Sequence, residues 1–268
     1  MPDIYPQLTI FIPCYNEAPV IQLVLREIAE CMPATGVSFE VIVIDDGSTD
    51  GSSAVVKEFC GTYPELALTI VENGVNKGIS CNFTDAAFLG RGEYFCRMGG
   101  HFQDRRDALI PLVSRIGQAD LVIGYLDDDR RNPFRRYLSK LFTTVANAAS
   151  GYDIRYYLGM VIFRCTDVLR WHSYRHQAFQ AELLTRVLAS GRSYVQVPIR
   201  AHQRNTGRSR AISLTNALSV IFCLADILGM RLRSRRMRRQ RRRAEAGVQI
   251  SAPLCARDHA SAGFEQYS

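Results

Sequence analysis

Two short segments in the amino-terminal part of the chain carry side chains suited to holding a polar ligand. The first reads Pro13-Cys14-Tyr15-Asn16-Glu17, the second Asp45-Asp46-Gly47-Ser48-Thr49-Asp50-Gly51-Ser52. Adjacent carboxylates accept hydrogen bonds from a heterocyclic N–H or from neighbouring hydroxyls, and the small polar residues after them can cap a following helix. On its own the second segment also reads as a capped strand-to-helix turn. Asn76-Lys77-Gly78 is either a third ligand-facing turn or a plain glycine-bearing one. Arg204 and Arg210 lie in a glycine-bearing, arginine-rich stretch, and planar guanidinium groups bind phosphate oxygens in pairs; solvated surface charge is the alternative. Glu182, in Phe179-Gln180-Ala181-Glu182, reads from the sequence as a polar position on an amphipathic helix.

These residues need a scaffold, and the hydrophobic pattern supplies one. Residues 8–12, 39–44, 66–72, 93–97 and 120–124 are short apolar runs that read as strands. Helical spacing follows the first two: Val20, Ile21, Val24, Leu25 and Ile28, then Val55, Val56 and Phe59. Near-continuous apolar strands alternating with helices predict an α/β fold with a mostly parallel sheet covered on both faces. Ligands on such sheets bind beyond the carboxyl ends of the strands, which singles out the loops after residues 12, 44 and 97. Farther on, 135–149 and the stripe Phe179, Leu183, Val187 read as helices, and 193–199 as a strand.

The 268 residues are 47% hydrophobic and 22% charged, which excludes a disordered or fibrous chain. The net charge of +7 is local. Nine arginines lie between Arg231 and Arg243, whereas residues 1–230 are neutral. The eight cysteines form no C-x-x-C pair, so a zinc or redox motif is not expected and a reducing cytosol fits. The opening residues lack the basic and apolar regions of a signal peptide. Leu214–Met230 is short and carries Asn216 and Asp226, which suits an interfacial or packed helix better than a membrane span. An apolar helix followed by arginines is expected to anchor the chain on an anionic cytoplasmic leaflet. A solvated tail and nucleic-acid binding are the rivals, and nucleic acid is the least favoured. The expected division is a catalytic domain over 1–210, a helix plus Arg-rich segment over 211–243, and a disordered tail over 244–268.

Together, P-x-Y-N-E and D-D-G-S-T-D resemble the start of a family-2 glycosyltransferase with the glycosyltransferase A fold, nearest to the polyprenyl-phosphate sugar transferases such as dolichol-phosphate mannose synthase. The resemblance runs from residue 8 to about 210. It implies inverting transfer of a sugar from a nucleotide-sugar donor to a lipid phosphate or a cell-surface glycan precursor. It implies a nucleotide pocket lined by Pro13, Tyr15, Glu17, Asp45, Asp46, Lys77, Gly100 and Arg210, with Arg135 and Arg204 on the phosphates. Either Glu182 or Asp104 would serve as base if the acceptor is a hydroxyl. Gly159, Phe163 and Arg164 resemble the family's S-G-F-R segment, and Val197-Pro198-Ile199 its V-P-I. The Ser-Arg pair expected after Gly124 is Tyr125-Leu126 here, leaving Arg130 or Arg131 as substitutes.

The largest departure follows the fourth strand. The family's Asp-x-Asp-x-Gln becomes Gly99-Gly100-His101-Phe102-Gln103. Three readings stay open: a metal site rebuilt on His101, Gln103 and Asp104, favouring Mn²⁺ over Mg²⁺ because imidazole is a poor ligand for a hard cation; metal-independent transfer assisted by arginines; or a nucleotide-sugar-binding protein without activity. A sugar-phosphate nucleotidyltransferase is disfavoured because the G-x-G-T-R-x-x-P loop is absent, and an NAD enzyme because no G-x-G-x-x-G follows the first strand. The expected location is the cytoplasm, peripheral on the inner membrane face.

Overall fold

Leu8–Cys14 (β1) and Phe39–Asp45 (β2) are apolar along nearly their whole length, and both are buried on both faces. The structure, a computed structural model, describes residues 5–99, 106–127, 132–171, 179–200, 223–229 and 231–232. Chain order continues with helices α1 (Ala18–Cys31) and α2 (Ser52–Thr62), strand β3 (Leu68–Glu72), α3 (Ile79–Leu89), β4 (Tyr94–Arg97), α4 (Arg106–Val113) and β5 (Leu121–Leu126). Then come α5 (Pro133–Ser150), β6 (Val161–Arg164), α6 (Cys165–Trp171), α7 (Phe179–Ala189) and β7 (Tyr194–Ile199).

The seven strands form one sheet in the order β3-β2-β1-β4-β6-β5-β7. All pairings are parallel except those of β6, which runs antiparallel between β4 and β5. The expected mostly parallel α/β sheet is therefore present, with one reversed strand that the apolar runs did not announce. One face is covered by α1, α2 and α4 through residues such as Val24, Phe59 and Leu109. The other carries α3, α5, α6 and α7 through Phe83, Phe142, Val168 and Leu183. On that second face Phe83 sits edge-on to both Phe95 and Phe179, at 5.0 Å in each case, and this joins β4 to α7. Such aromatic pairs fix geometry beyond what their buried area alone supplies.

Part of the helix expected over 214–230 is described. Residues 223–229 are helical, and Cys223 and Ile227 are fully buried in the α3/α5/α6/α7 core. The described part is therefore a packed helix. Burial pushes the Cys223 thiol up to about 12, so it acts as a small apolar filler. The Arg231 guanidinium donates to the Ala148 carbonyl and lies against Gly151, which ends α5 in the left-handed region at φ 83°. No described helix is long and apolar enough to cross a membrane.

The amino ends of β1 and β4 meet in a tight buried polar knot. The Gly92 amide donates to Thr9 Oγ1 at 3.0 Å, and that hydroxyl donates to Glu40 at 2.7 Å. A Cβ on Gly92 would lie 2.5 Å from the Thr9 nitrogen and 2.8 Å from the Leu8 carbonyl carbon. Backbone cannot rotate away, so Gly92→Ala should cost about 2 kcal/mol or more. Gly61→Ala, in α2 with nothing within 4 Å, should be neutral or gain up to about 1 kcal/mol. Denaturant unfolding of the two variants measures both; equal midpoints would show that the close approach at Gly92 relaxes.

Candidate functional site

β1 and β2 pair in register so that Cys14 lies beside Asp45, and β2 pairs with β3 so that Asp45 lies beside Glu72. The loops leaving these strands are therefore neighbours at the carboxyl edge of the sheet. Side chains of the second loop lace the first in place. The Asn16 amide donates to Ser48 Oγ at 2.9 Å, the Glu17 amide to Ser52 Oγ at 2.9 Å, and the Ala18 amide to Asp50 Oδ2 at 3.0 Å. In return the Thr49 amide donates to Asn16 Oδ1 at 2.9 Å. Asn16 adopts φ 54°, a left-handed conformation that Asn tolerates better than most residues, and these bonds hold it there. α1 has no side-chain cap within its own loop; Asp50 and Ser52 cap it from the neighbouring one. Burial works to raise the Asp50 carboxyl, but hydrogen bonds from Ser52 and the Ala18 amide prevail and hold it below the usual range.

The two adjacent aspartates have different tasks. Asp46 is buried, and its carboxylate takes hydrogen bonds from Asn73 Nδ2 (3.0 Å), the Lys77 amide (2.8 Å) and the Gly78 amide (2.9 Å). Burial opposes its ionisation, yet these bonds and one from Asn82 outweigh it and hold its pKa below the usual carboxylate range. Gly78 adopts φ 85° and ψ 156°, a region open only to glycine, and this aims its amide at Asp46. Asp45 uses Oδ1 on the Ser48 amide (3.0 Å) and the Ser48 hydroxyl, while its Oδ2 accepts no hydrogen bond among the described residues. Asp45 thus retains an acceptor at the strand end, and Asp46 is committed to shaping the 73–78 loop.

The other expected pocket residues divide in the same way. Tyr15 is exposed, and Pro13 and Glu17 are half-buried on the same loop. Lys77 serves through its backbone; its ammonium lies 3.6 Å from Asp85 on the surface. Cys14, beneath the site, is raised to about 11, chiefly by burial and further by the charges of Asp45, Glu17 and Asp50, with a Ser52 hydrogen bond opposing. It stays a thiol at neutral pH and offers no nucleophile. Glu182 is not brought to the open strand ends. It is fully buried on α7, its Oε1 held by Arg186 at 2.9 and 2.5 Å, and its Oε2 takes no hydrogen bond among the described residues. Arg135 belongs to α5, with only its backbone described. Gly100, His101, Gln103, Asp104, Arg204 and Arg210, together with Arg130, Arg131 and Arg233–Arg243, lie outside the described residues.

A residue that motif reading passed over stands at the end of β4. Arg97 Nη2 donates to Gln180 Oε1 at 3.1 Å, and Gln180 Nε2 donates to the Gly159 carbonyl at 2.6 Å. This chain fixes a guanidinium at the carboxyl edge of a central strand, two residues before Gly99. The signal was available: an arginine closing the apolar run EYFC. The described residues there do not fit a divalent cation. Gly99 offers no side chain, Arg97 is itself a cation, and among the described residues no three His, Cys, Asp or Glu side chains gather as ligands.

Because the native pKa of Asp46 is lowered, its stabilising contribution is present at neutral pH and is lost as pH falls through that pKa. Asp46→Asn sets an amide donor against backbone donors, so it should lower stability by about 1.5–3 kcal/mol and make the 73–78 loop more susceptible to limited proteolysis. Asp45→Asn should leave both readings near wild type. Equal destabilisation by the two substitutions would refute this division.

The comparisons with known proteins agree with this geometry. The model of the glycosyl transferase family 2 matches residues 9–181. The undecaprenyl-phosphate 4-deoxy-4-formamido-L-arabinose transferase of Edwardsiella ictaluri is 23% identical over 228 residues, covering 82% of this chain and 67% of the relative. Its namesake from Pseudomonas paraeruginosa is 24% identical over 234 residues, covering 82% and 65%. The chain thus spans about two thirds of the length of these curated relatives. Among solved structures, a Pyrobaculum calidifontis mannosyltransferase in complex with GDP-Man and Mn²⁺ superposes with a TM-score of 0.61 at 20% identity, covering 94% of this chain and 78% of that one. Glucosyl-3-phosphoglycerate synthase from Mycobacterium tuberculosis, with Mn²⁺, UDP and glucosyl-3-phosphoglycerate, gives 0.62 at 16% identity, covering 84% and 80%. At such identities the structural likeness establishes the glycosyltransferase A fold, and the family model establishes the family. With a match across most of the chain and the strand-end loops arranged as described, this protein belongs to glycosyl transferase family 2.

Proposed function

We propose that this glycosyltransferase moves a sugar from a nucleoside diphosphate sugar to a polyprenyl phosphate at a membrane surface, inverting the anomeric carbon. The observation that carries the donor half is Oδ2 of Asp45: the side chain is only 4% exposed, yet this oxygen accepts no hydrogen bond among the described residues, at a strand carboxyl end next to the loop of the exposed Tyr15, with Oδ1 held by Ser48. That oxygen suits a base N–H or a ribose hydroxyl. The relatives named as undecaprenyl-phosphate sugar transferases support the acceptor half.

The enclosure of Glu182 by Arg186 supports the same acceptor. A phosphate monoester is already anionic at neutral pH and needs no base to become a nucleophile. Its oxygen attacks the anomeric carbon from the face opposite the leaving group, the carbon–oxygen bond to the diphosphate breaks, and the electron pair departs with the nucleoside diphosphate. No proton is transferred. The protein's tasks are to align the two phosphates and to oppose the negative charge on the leaving group. Arg97, with Arg135, Arg204 and Arg210, supplies that positive charge. A hydroxyl acceptor in a glycan precursor is the second reading and makes Asp104 the base. Gly99 favours a third, a nucleotide-sugar-binding protein without turnover.

A metal, as carried by the solved relatives, would have to be held through His101 and Gln103. Turnover that depends on a cation is then higher with Mn²⁺ than with Mg²⁺ and falls in His101→Ala. Equal activity in both ions, with His101→Ala silent, would refute that ligand set. The proposed function itself is tested by isothermal titration with UDP-, GDP- and dTDP-sugars, followed by transfer of labelled sugar to a polyprenyl phosphate. One nucleotide should bind, and Asp45→Asn should weaken it by roughly tenfold or more, the equivalent of a lost charged hydrogen bond. Unchanged affinity in Asp45→Asn would sink the donor site; donor binding without transfer would point to the binding protein.

A further inference from the structure

The outward side of α5 is apolar where a surface helix is ordinarily polar. Phe134, Tyr137, Leu138, Leu141 and Val145 are all exposed, Phe134 at 56% and Tyr137 at 64%. At 3.6 residues per turn they fall within a stripe roughly 100° wide. Adjoining it is a second stripe, in which Phe142, Ala146 and Ala149 are buried in the core. The helix thus has two adjoining apolar faces, spanning roughly 180° together, and the body covers only one. Scattered exposed apolar residues are ordinary, but five in one helical stripe are not.

The charge on α5 identifies what covers the second face. Its 18 residues include Arg135, Arg136 and Lys140 and no Asp or Glu. On the helical projection Lys140 falls beside the exposed stripe, where a long basic side chain can reach phosphate headgroups while the aromatic and aliphatic residues enter the boundary below it; Arg136 lies on the far side of the helix. A second element ends at the same place. Arg231 is fixed against the carboxyl end of α5 by the Ala148 carbonyl, with Leu228 and Leu232 exposed on its helix. Eight more arginines follow between residues 233 and 243. The chain therefore enters its most basic stretch beside the exposed apolar helix.

We infer that the outer face of α5 is the lipid-facing surface of this protein, inserted into the interface of an anionic bilayer, with the arginine run as its electrostatic partner. This extends the membrane-surface part of the proposed function: it assigns the apolar contact to Phe134, Tyr137, Leu138, Leu141 and Val145. The described part of the 214–230 segment cannot supply that contact through Cys223 and Ile227, since both are spent on the core. Two signals together, a buried apolar face and a basic patch, hold a peripheral protein where one alone is marginal.

The test uses the full chain and flotation with phosphatidylglycerol-containing vesicles. Substituting Tyr137, Leu138 and Leu141 together by Ser should reduce vesicle binding by roughly tenfold or more while leaving the thermal transition in place, because none of the three is buried. High salt should weaken wild-type binding, as screening acts on the arginines. Independently, Tyr137→Trp should show a blue-shifted emission, quenched by brominated lipid, when vesicles are added. Undiminished flotation of the triple variant, or an unshifted Tyr137→Trp spectrum, would overturn the inference. So would a wild-type dimer in light scattering that the triple variant converts to monomer, since the face would then be a contact between two copies. The readout is independent of turnover: absence of transfer to a polyprenyl phosphate with normal flotation would discard the acceptor and keep the surface.

Discussion

The carboxylate of Asp46 is where three strand-end loops are tied together. Its residue directly follows β2, its amide is bound to the Cys14 carbonyl at the end of β1, and its oxygens hold Asn73 and the Lys77 and Gly78 amides beyond β3. A buried carboxylate is tolerated only when donors converge on it, and here the donors come from the loop that β2–β3 pairing sets beside it and from the start of α3. Removing that charge leaves two backbone amides facing nothing. The position of Asp45 follows from the same arrangement. With Asp46 turned toward the 73–78 loop, its equally buried neighbour keeps one oxygen without a hydrogen bond among the described residues, and Ser48 fixes which one.

Much of this was legible in the letters, for identifiable reasons. β1, β2 and β5 are buried on both faces, so their residues are nearly all apolar and stand out from any background. The strand-end loops are built from Asp, Ser, Asn and Gly, which announce turns by composition. β6 escaped because four residues, Val161–Arg164, carry neither length nor direction, and reversing between two parallel neighbours is a property of the whole sheet. α4 escaped because Pro111 lies inside it and interrupts a helical reading. The division between Asp45 and Asp46 was not legible at all. The two residues are chemically identical, and only the donors around each one distinguish them.

Side-chain partners decide what spacing alone leaves open. Glu182 has the right type and spacing for a base, yet its carboxylate is buried beside Arg186, one helical turn away. Arg97 attracted no notice because its meaning depends on Gln180, distant in sequence and brought near by the packing of α7 on β4. Both cases follow one rule. A polar side chain's role is set by which partner reaches it first, and that partner is fixed by tertiary packing.

The electrostatics of the sheet edge then bear on how phosphate is held. α1, α2 and α3 all begin just past strand carboxyl ends, so their positive ends point toward the site, an arrangement that often binds anions directly. Here two of those ends are already engaged by the protein's own carboxylates. Asp50 takes the Ala18 amide at the start of α1, and Asp46 takes the Lys77 and Gly78 amides at the start of α3. Fixed carboxylates at these termini rigidify the loops but consume the positive field that a diphosphate would otherwise use. Charge against the phosphates must come from side chains. Under the proposed donor chemistry, Arg97, standing at the end of β4 two residues before Gly99, is a described cation available to meet that demand. Its guanidinium is oriented by Gln180, a neutral amide, which directs the side chain without cancelling its charge. An acidic residue at position 180 would hold the arginine at least as firmly and leave it far less able to attract phosphate.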